Sequence, residues 1–175
     1  MKKNFIWSLL FLSIISTTAI SQNQNDSILI LKSDSMNIIA LEGKAAFIKD
    51  SINLFGQIDE RFNQLIHNKD KPTQNIKIKE FTLSKDATFS DMFKFLDLNT
   101  CVLTQNQICQ ICIQYKKKLK SNSFNFFLFK EINSYYVAIV TTGSGDIFKI
   151  EPKSINDSGR YFARRELSLF IPVKE

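Results

Sequence analysis

The chain has 175 residues, of which 44% are hydrophobic and 16 are phenylalanine, so it is long and apolar enough to form a folded domain. Its formal net charge is +6, and it contains a single histidine and no glycine-rich phosphate loop. These features exclude a P-loop nucleotide site and limit any histidine-dependent catalysis to His67.

The first 21 residues have the organisation of a secretory signal peptide. Lys2 and Lys3 precede an apolar stretch from Phe5 to Ile15, which is shorter than the roughly 20 residues of a membrane span. Ala19 and Ser21 are small residues at the spacing of a signal-peptidase site. The alternative is an N-terminal anchor that is not cleaved.

Cleavage near Ser21 predicts a periplasmic or secreted protein with one domain over residues 22–175 and no transmembrane span. Residues 101–175 contain 11 basic and 6 acidic side chains, so this half carries a net charge of +5. A basic half of this kind favours an anionic partner or membrane surface, and charge that serves only solubility is the alternative.

The strongest periodic pattern lies in the N-terminal half. Apolar residues recur there at spacings of three, four and seven, which predicts an amphipathic helix, or two helices, from about residue 35 to residue 67. The residues of this pattern are Leu41, Ala45, Ile48, Ile52, Phe55, Phe62 and Ile66. A β-hairpin turning at Glu42–Gly43 is the alternative for the first third of this segment.

Shorter elements follow. Alternating apolar residues predict a strand at about 75–84, with an irregularity near Glu80. Ser90 is the expected N-cap of a short helix over 91–96, and Thr104 or Asn106 is the expected N-cap of a helix over about 104–120.

The C-terminal half has the pattern of an antiparallel β-meander of about four to five strands. Segments 124–132 and 135–142 are apolar on both faces, which is typical of central strands covered on both sides. Strands over 147–151, 161–165 and 167–171 follow, the last pair at an edge. The predicted fold is therefore α+β, with a long N-terminal helix and two shorter helices packed on the meander.

The three cysteines, Cys101, Cys109 and Cys112, allow several kinds of chemistry. In an oxidising compartment a disulfide between Cys101 and one helical cysteine is the preferred prediction, and three buried thiols are the alternative. Cys109 and Cys112 form a Cys-x-x-Cys pattern, but no βαβ unit surrounds it and Cys112 falls on the apolar stripe of its helix. One such pair is also only half of a zinc site, so we expect neither a metal nor a cofactor.

Two basic clusters are candidate binding surfaces. Lysines 116, 117, 118 and 120 end the predicted cysteine-containing helix, and arginines mixed with aromatic residues follow near the C-terminus. The candidate residues are Lys116, Lys117, Lys120, Arg160, Tyr161, Arg164 and Arg165. The partner expected from this composition is an acidic protein or an anionic envelope surface, and nucleic acid is not expected for an exported chain.

The sequence thus predicts a non-catalytic, exported binding protein of the bacterial cell envelope, of immunity or inhibitor type. The alternative is a small periplasmic enzyme, either a thiol oxidoreductase acting through Cys109 and Cys112 or a hydrolase that depends on His67.

Overall fold

The computed structural model describes residues 28–38, 47–65, 75–94, 96–121, 124–143, 147–157 and 167–173. Within these ranges the chain forms a seven-stranded sheet with short helices. The strands are β1 (Leu29–Ile38), β2 (Phe55–Ile58), β3 (Ile76–Leu83), β4 (Phe124–Glu131), β5 (Ser134–Thr142), β6 (Phe148–Ser154) and β7 (Leu167–Val173). The helices are α1 (Phe89–Phe93), α2 (Gln105–Gln114) and α3 (Lys116–Lys120), and 3-10 turns span Ile48–Asp50 and Glu60–Asn63.

The strand order across the sheet is β1-β3-β7-β4-β5-β6-β2. Strands β4, β5 and β6 form a consecutive antiparallel meander, whereas β7 runs parallel to β4 and β2 runs parallel to β6. Strand β7 therefore lies between β3 and β4 in the middle of the sheet. The sheet is mixed, with β1 and β2 as its edges among the described strands.

Each face of the sheet is covered by its own apolar core. Phe126 and Leu128 of β4 point to the face covered by α1, while Phe127 and Phe129 point to the face covered by α2. All four side chains are at most 1% exposed. Phe127 stacks on Phe170 of β7 with ring centroids 5.0 Å apart, which ties the two central parallel strands together.

The helices begin where the sequence provides strong N-caps. Thr88 and Thr104 each form a capping box with the residue three positions later, and this satisfies backbone N–H groups at the start of α1 and α2. The predicted helix over 104–120 is broken at Tyr115, whose φ of −113° and ψ of 25° are not helical. It consists of α2 followed by the one-turn helix α3.

The predicted long N-terminal helix is wrong. Its described part contains the last residues of strand β1, two 3-10 turns and strand β2. Ile48, Phe55 and Phe62, seven positions apart, are all fully buried, but Ile52 of the same pattern is 59% exposed. The seven-residue spacing therefore identifies core residues that reach the same core from different elements.

The fold class is corrected from a helix on a meander to a mixed sheet with short helices on both faces. The hairpin alternative was right that the segment begins with a strand, but β1 pairs with β3, and Glu42–Gly43 lies outside the described residues. The strand over 75–84 is confirmed, while the edge position predicted for 167–171 is wrong because β7 is central.

Several predictions concern residues outside the described ranges. These are the signal peptide over 1–21, His67, and the strand predicted over 161–165. In the described part of the chain, no helix is long and apolar enough to cross a bilayer.

Candidate functional site

A carboxylate occupies a core position on β3, the strand between edge strand β1 and β7. On β3, Ile78 and Glu80 are two positions apart and therefore point to the same face, the one covered by α2 and α3. Glu80 is 0% exposed. A buried carboxylate destabilises the fold unless its charge is compensated. The surroundings of Glu80 are therefore a candidate functional site.

A β-bulge in the neighbouring strand brings two side chains to Glu80. In the pairing of β1 with β3, Leu31 lies opposite Phe81 and Ser33 lies opposite Glu80, so Lys32 is an extra residue in β1. Such a bulge changes the direction of side chains along its strand. As a result, Lys32 and Ser33, although adjacent in sequence, both reach Glu80.

The two carboxylate oxygens of Glu80 each accept from one lysine and one serine. Oε1 lies 3.0 Å from Lys32 Nζ and 2.7 Å from the hydroxyl of Ser168, which donates to it. Oε2 lies 2.7 Å from Lys118 Nζ and 3.3 Å from the hydroxyl of Ser33. The group, here called the Glu80 cluster, joins β1, β3, β7 and α3 through Lys32, Ser33, Glu80, Lys118 and Ser168.

These contacts keep Glu80 ionised. Burial by itself would raise the pKa of Glu80, but the hydrogen bonds from Lys118, Ser168 and Lys32 outweigh it and lower the pKa from 4.5 to about 2. At neutral pH the cluster therefore contains two ammonium groups and one carboxylate. Its net charge is +1. The Lys32 and Lys118 side chains are 43% and 35% exposed, so this positive charge is located on the solvent side of the cluster.

The cluster contains two serine–lysine contacts, the geometry of a possible nucleophile and base. Lys32 Nζ is 3.0 Å from Ser168 Oγ, and Lys118 Nζ is 3.1 Å from Ser33 Oγ. In both cases the lysine donates to the serine oxygen, while the serine hydroxyl donates to Glu80 and not to a base that could activate it as a nucleophile. Ser168 is also 0% exposed. The arrangement favours a structural ion cluster over a catalytic dyad.

The predicted disulfide is not formed. All three cysteines are free and buried, with Cys101 in the core on the α1 side of the sheet and Cys109 and Cys112 in the core on the α2 side. The chain changes sides of the sheet near Leu103, which pairs with Phe129 at a β-bridge. The alternative of three buried thiols describes the structure.

The environment of the Cys-x-x-Cys pair disfavours thiol chemistry. Cys109 is 1% exposed and Cys112 is 0% exposed, so neither sulfur is accessible to a protein substrate. Burial raises the pKa of the Cys112 thiol well above its ordinary value, and the neighbouring Cys109 raises it further. A buried thiol with a raised pKa carries little of the thiolate that attacks disulfides.

The structure describes part of the predicted basic surface. Lys116 and Lys117 are exposed on α3, and Lys120 is half-buried at its end. Lys118, a member of the same predicted run of lysines, turns toward the sheet and belongs to the Glu80 cluster. The other four candidates, Arg160, Tyr161, Arg164 and Arg165, lie outside the described residues.

A cleft of about 550 Å³ lies near β6, on the same face of the sheet as α2, and its lining includes the polar side chains of Arg61 and Asp157. Arg61 is already held by Asp59, with Nε and Nη2 each 2.8 Å from a carboxylate oxygen. These side-chain hydrogen bonds lower the pKa of Asp59 to about 2. Because the guanidinium of Arg61 is already paired with Asp59, the cleft is a weak candidate for anion binding.

In the described ranges, no group of three or more histidine, cysteine, aspartate or glutamate side chains is placed to hold a metal ion.

The Glu80 cluster was missed in the sequence, although its signal was present. The irregularity noted near Glu80 is a carboxylate at the inward position of the alternation Ile76, Ile78, Glu80. The sequence does not indicate that Lys32 and Lys118 contact Glu80, because these lysines are 48 and 38 positions away from it.

No protein family, curated protein or solved structure matches the chain.

Proposed function

We propose that this chain is an exported, non-catalytic binding protein of the cell envelope, of immunity or inhibitor type, which acts through a protein–protein surface. The observation that carries the proposal is that the cysteines and the serine–lysine contacts in the described part of the chain are used in the interior. The cysteines are buried thiols, and the serines and lysines around Glu80 form a compensated ion cluster.

The surface chemistry supports a binding role. Exposed lysines of α3 and the outer parts of Lys32 and Lys118 place positive charge on one side of the molecule. Complementary charge accelerates association and selects partners. The rigid Phe-rich cores on both faces provide the stable support that such a surface requires.

The test begins with the full-length chain expressed with a C-terminal tag in a Gram-negative host. We expect the protein in the periplasmic fraction or the medium, with an intact mass that corresponds to a chain starting at Gln22. We also expect one specific partner to rebind the purified protein saturably. Unprocessed protein in the cytoplasm would contradict export, and the lack of a saturable partner would contradict the binding role.

An enzyme assay completes the test. Insulin reduction by the purified protein, abolished in a Cys109→Ser variant, would refute the non-catalytic proposal in favour of a thiol oxidoreductase. A hydrolytic activity lost in a His67→Ala variant would refute it in favour of the hydrolase. We expect neither variant to differ from the unmodified chain in these assays.

A further inference from the structure

We propose that the cleft near β6 binds an uncharged saccharide. This function goes beyond the protein–protein surface proposed above and does not depend on it. The volume of the cleft is about 550 Å³, within the range of about 300–1,000 Å³ that is typical of small-molecule sites. Six of its lining residues have side chains that form hydrogen bonds, namely Arg61, Gln64, Tyr136, Ser154, Asn156 and Asp157.

Neighbouring side chains of β5 and β6 form the floor of the cleft. Tyr136 lies opposite Ser154 in the antiparallel register, and Pro152 is two positions before Ser154, so all three point to the same face of the sheet. The Tyr136 ring stacks on Phe129 with centroids 5.6 Å apart, which fixes its orientation. Because Tyr136 is only partly buried, its ring provides the cleft with an apolar surface that has a hydroxyl at its edge.

The 3-10 turn over Glu60–Asn63 contributes a fixed guanidinium. The backbone N–H of Asp59, the N-cap of this turn, donates to the carbonyl of Ile150 in β6 at 3.0 Å and so attaches the turn to the sheet. The Asp59 carboxylate accepts from Nε and Nη2 of Arg61, each at 2.8 Å. These bonds fix the plane of the guanidinium, so its remaining N–H groups are oriented donors whose charge Asp59 compensates.

The turn that follows β6 contributes acceptors. The N–H of Asp157 donates to the carbonyl of Ser154 at 3.1 Å, and the N–H of Asn156 donates to the hydroxyl oxygen of Ser154 at 3.2 Å. Both residues are exposed, and the hydrogen bonds that hold them use their backbone. The Asn156 amide and the Asp157 carboxylate are therefore held at the cleft with their side-chain atoms accessible to a ligand.

The charges of the cleft favour a ligand without net charge. A guanidinium, from Arg61, and a carboxylate, from Asp157, line the same cleft. An anionic ligand would approach the Asp157 carboxylate and find Arg61 already paired with Asp59. A cationic ligand would approach the Arg61 guanidinium. Opposite charges at one site disfavour both kinds of ion, while the donors and acceptors remain available to a polar ligand.

A saccharide satisfies both the floor and the rim of this cleft. Each sugar hydroxyl donates and accepts, so it pairs with guanidinium, amide and carboxylate groups alike. The C–H groups on one face of a sugar ring pack on the electron-rich face of an aromatic ring such as Tyr136. A wholly apolar ligand would instead leave the polar side chains of the cleft without partners, which costs affinity.

Titrations of the ¹⁵N-labelled protein, followed by two-dimensional NMR, test the proposal. The uncharged probes are cellobiose and N,N′-diacetylchitobiose, and the comparison ligands are chitobiose, which is cationic, glucuronic acid, which is anionic, and adenosine. We expect saturable shifts of the Tyr136, Ser154 and Asn156 amide signals with at least one uncharged disaccharide. Chitobiose, glucuronic acid and adenosine should each bind at least about threefold more weakly than that disaccharide.

Variants locate the binding to the cleft. Asn156→Ala/Asp157→Ala should weaken disaccharide binding by at least about fivefold, because two hydrogen-bonding side chains are removed. The matched control is Asp50→Ala/Asn53→Ala, which removes the same two residue types at exposed positions that do not line the cleft. It should change the affinity less than about twofold. Tyr136→Leu should also weaken binding, since the aromatic floor is lost.

Co-sedimentation with peptidoglycan sacculi distinguishes the sources of the sugar. Retention by sacculi that is lost in Asn156→Ala/Asp157→Ala would support a wall glycan as ligand, whereas disaccharide binding without retention would support a free sugar. The lack of saturable binding by both uncharged disaccharides would overturn the proposal. So would tighter binding of a charged sugar or of adenosine, or equal losses in the cleft variant and its control.

Discussion

Replacing both lysines of the Glu80 cluster should destabilise the protein strongly. In a Lys32→Met/Lys118→Met variant, the buried carboxylate keeps only the hydroxyls of Ser33 and Ser168 among its described partners. The pKa of Glu80 falls from 4.5 to about 2 in the folded protein, which corresponds to about 3 kcal/mol of stability. Breaking a buried ion pair on one side costs about 3–5 kcal/mol in other proteins, so we expect a loss of this size at neutral pH.

The pH dependence of the unfolding free energy gives the sharper signature. In the unmodified protein the pKa of Glu80 is depressed, so its contribution is complete above pH 4.5 and is lost as pH falls toward about 2. In the double variant, burial without lysines should raise the pKa of Glu80 above its ordinary value. Stability should then increase as pH falls through that raised pKa toward 4.5, the ordinary pKa of the unfolded chain, which is the opposite slope.

Urea denaturation at several pH values, followed by circular dichroism of the backbone, measures both effects. The matched control is the triple variant Glu80→Met/Lys32→Met/Lys118→Met, which replaces the whole ion cluster by apolar side chains. We expect it to recover most of the lost stability, because no uncompensated buried charge remains. A double variant that loses less than about 1 kcal/mol, or a triple variant no more stable than the double, would refute the reasoning.

Three further predictions follow from individual contacts. Ile132 has a φ of 49° at the turn between β4 and β5 and is 50% exposed, so Ile132→Asn should stabilise the protein by about 1 kcal/mol, measured by thermal denaturation; destabilisation would show that the side chain matters more than the backbone. Iodoacetamide should leave Cys112 unmodified in the native protein and label it after unfolding, as read by mass spectrometry, whereas native labelling would contradict its burial. Thr104→Ala should cost about 1 kcal/mol in urea denaturation through loss of the capping box, and Thr104→Ser should retain most of that energy; equal losses would contradict the capping role.

The parts of the fold that were predicted correctly have short-range signals. The apolar run of β4 places Phe126 on one face and Phe127 on the other, and this alternation predicted a strand covered on both sides. Thr104 predicted the start of α2 because its side chain caps the third residue of the helix. In both cases the local sequence and the tertiary contacts favour the same conformation.

The errors arise where distant contacts decide the structure. The spacing of Ile48, Phe55 and Phe62 is compatible with a helix, and only their packing against the sheet selects 3-10 turns and a strand. The insertion of β7 between β3 and β4 involves strands far apart in sequence, which no local pattern encodes.

The basic surface on α3 stays a prediction, and the structure separates two roles within its run of lysines. Lys116 and Lys117 are exposed, whereas Lys118 belongs to the ion cluster. The sequence did not separate these roles because adjacent residues of a one-turn helix point in different directions. The cluster around Glu80 depends on the bulge at Lys32, which becomes visible only when the register of β1 against β3 is known.

The most direct test of the account is photo-crosslinking in Gram-negative cells that export the protein. A photoreactive amino acid replaces Ile113, which is 48% exposed and precedes the lysines of α3 by three positions, in one chain and Ile52, which is 59% exposed on another part of the surface, in a control chain. The account predicts a crosslink from position 113 to one acidic envelope protein, lost when Lys116→Glu/Lys117→Glu is added, and no such crosslink from position 52. Equal crosslinking from both positions, or none from position 113, would contradict it.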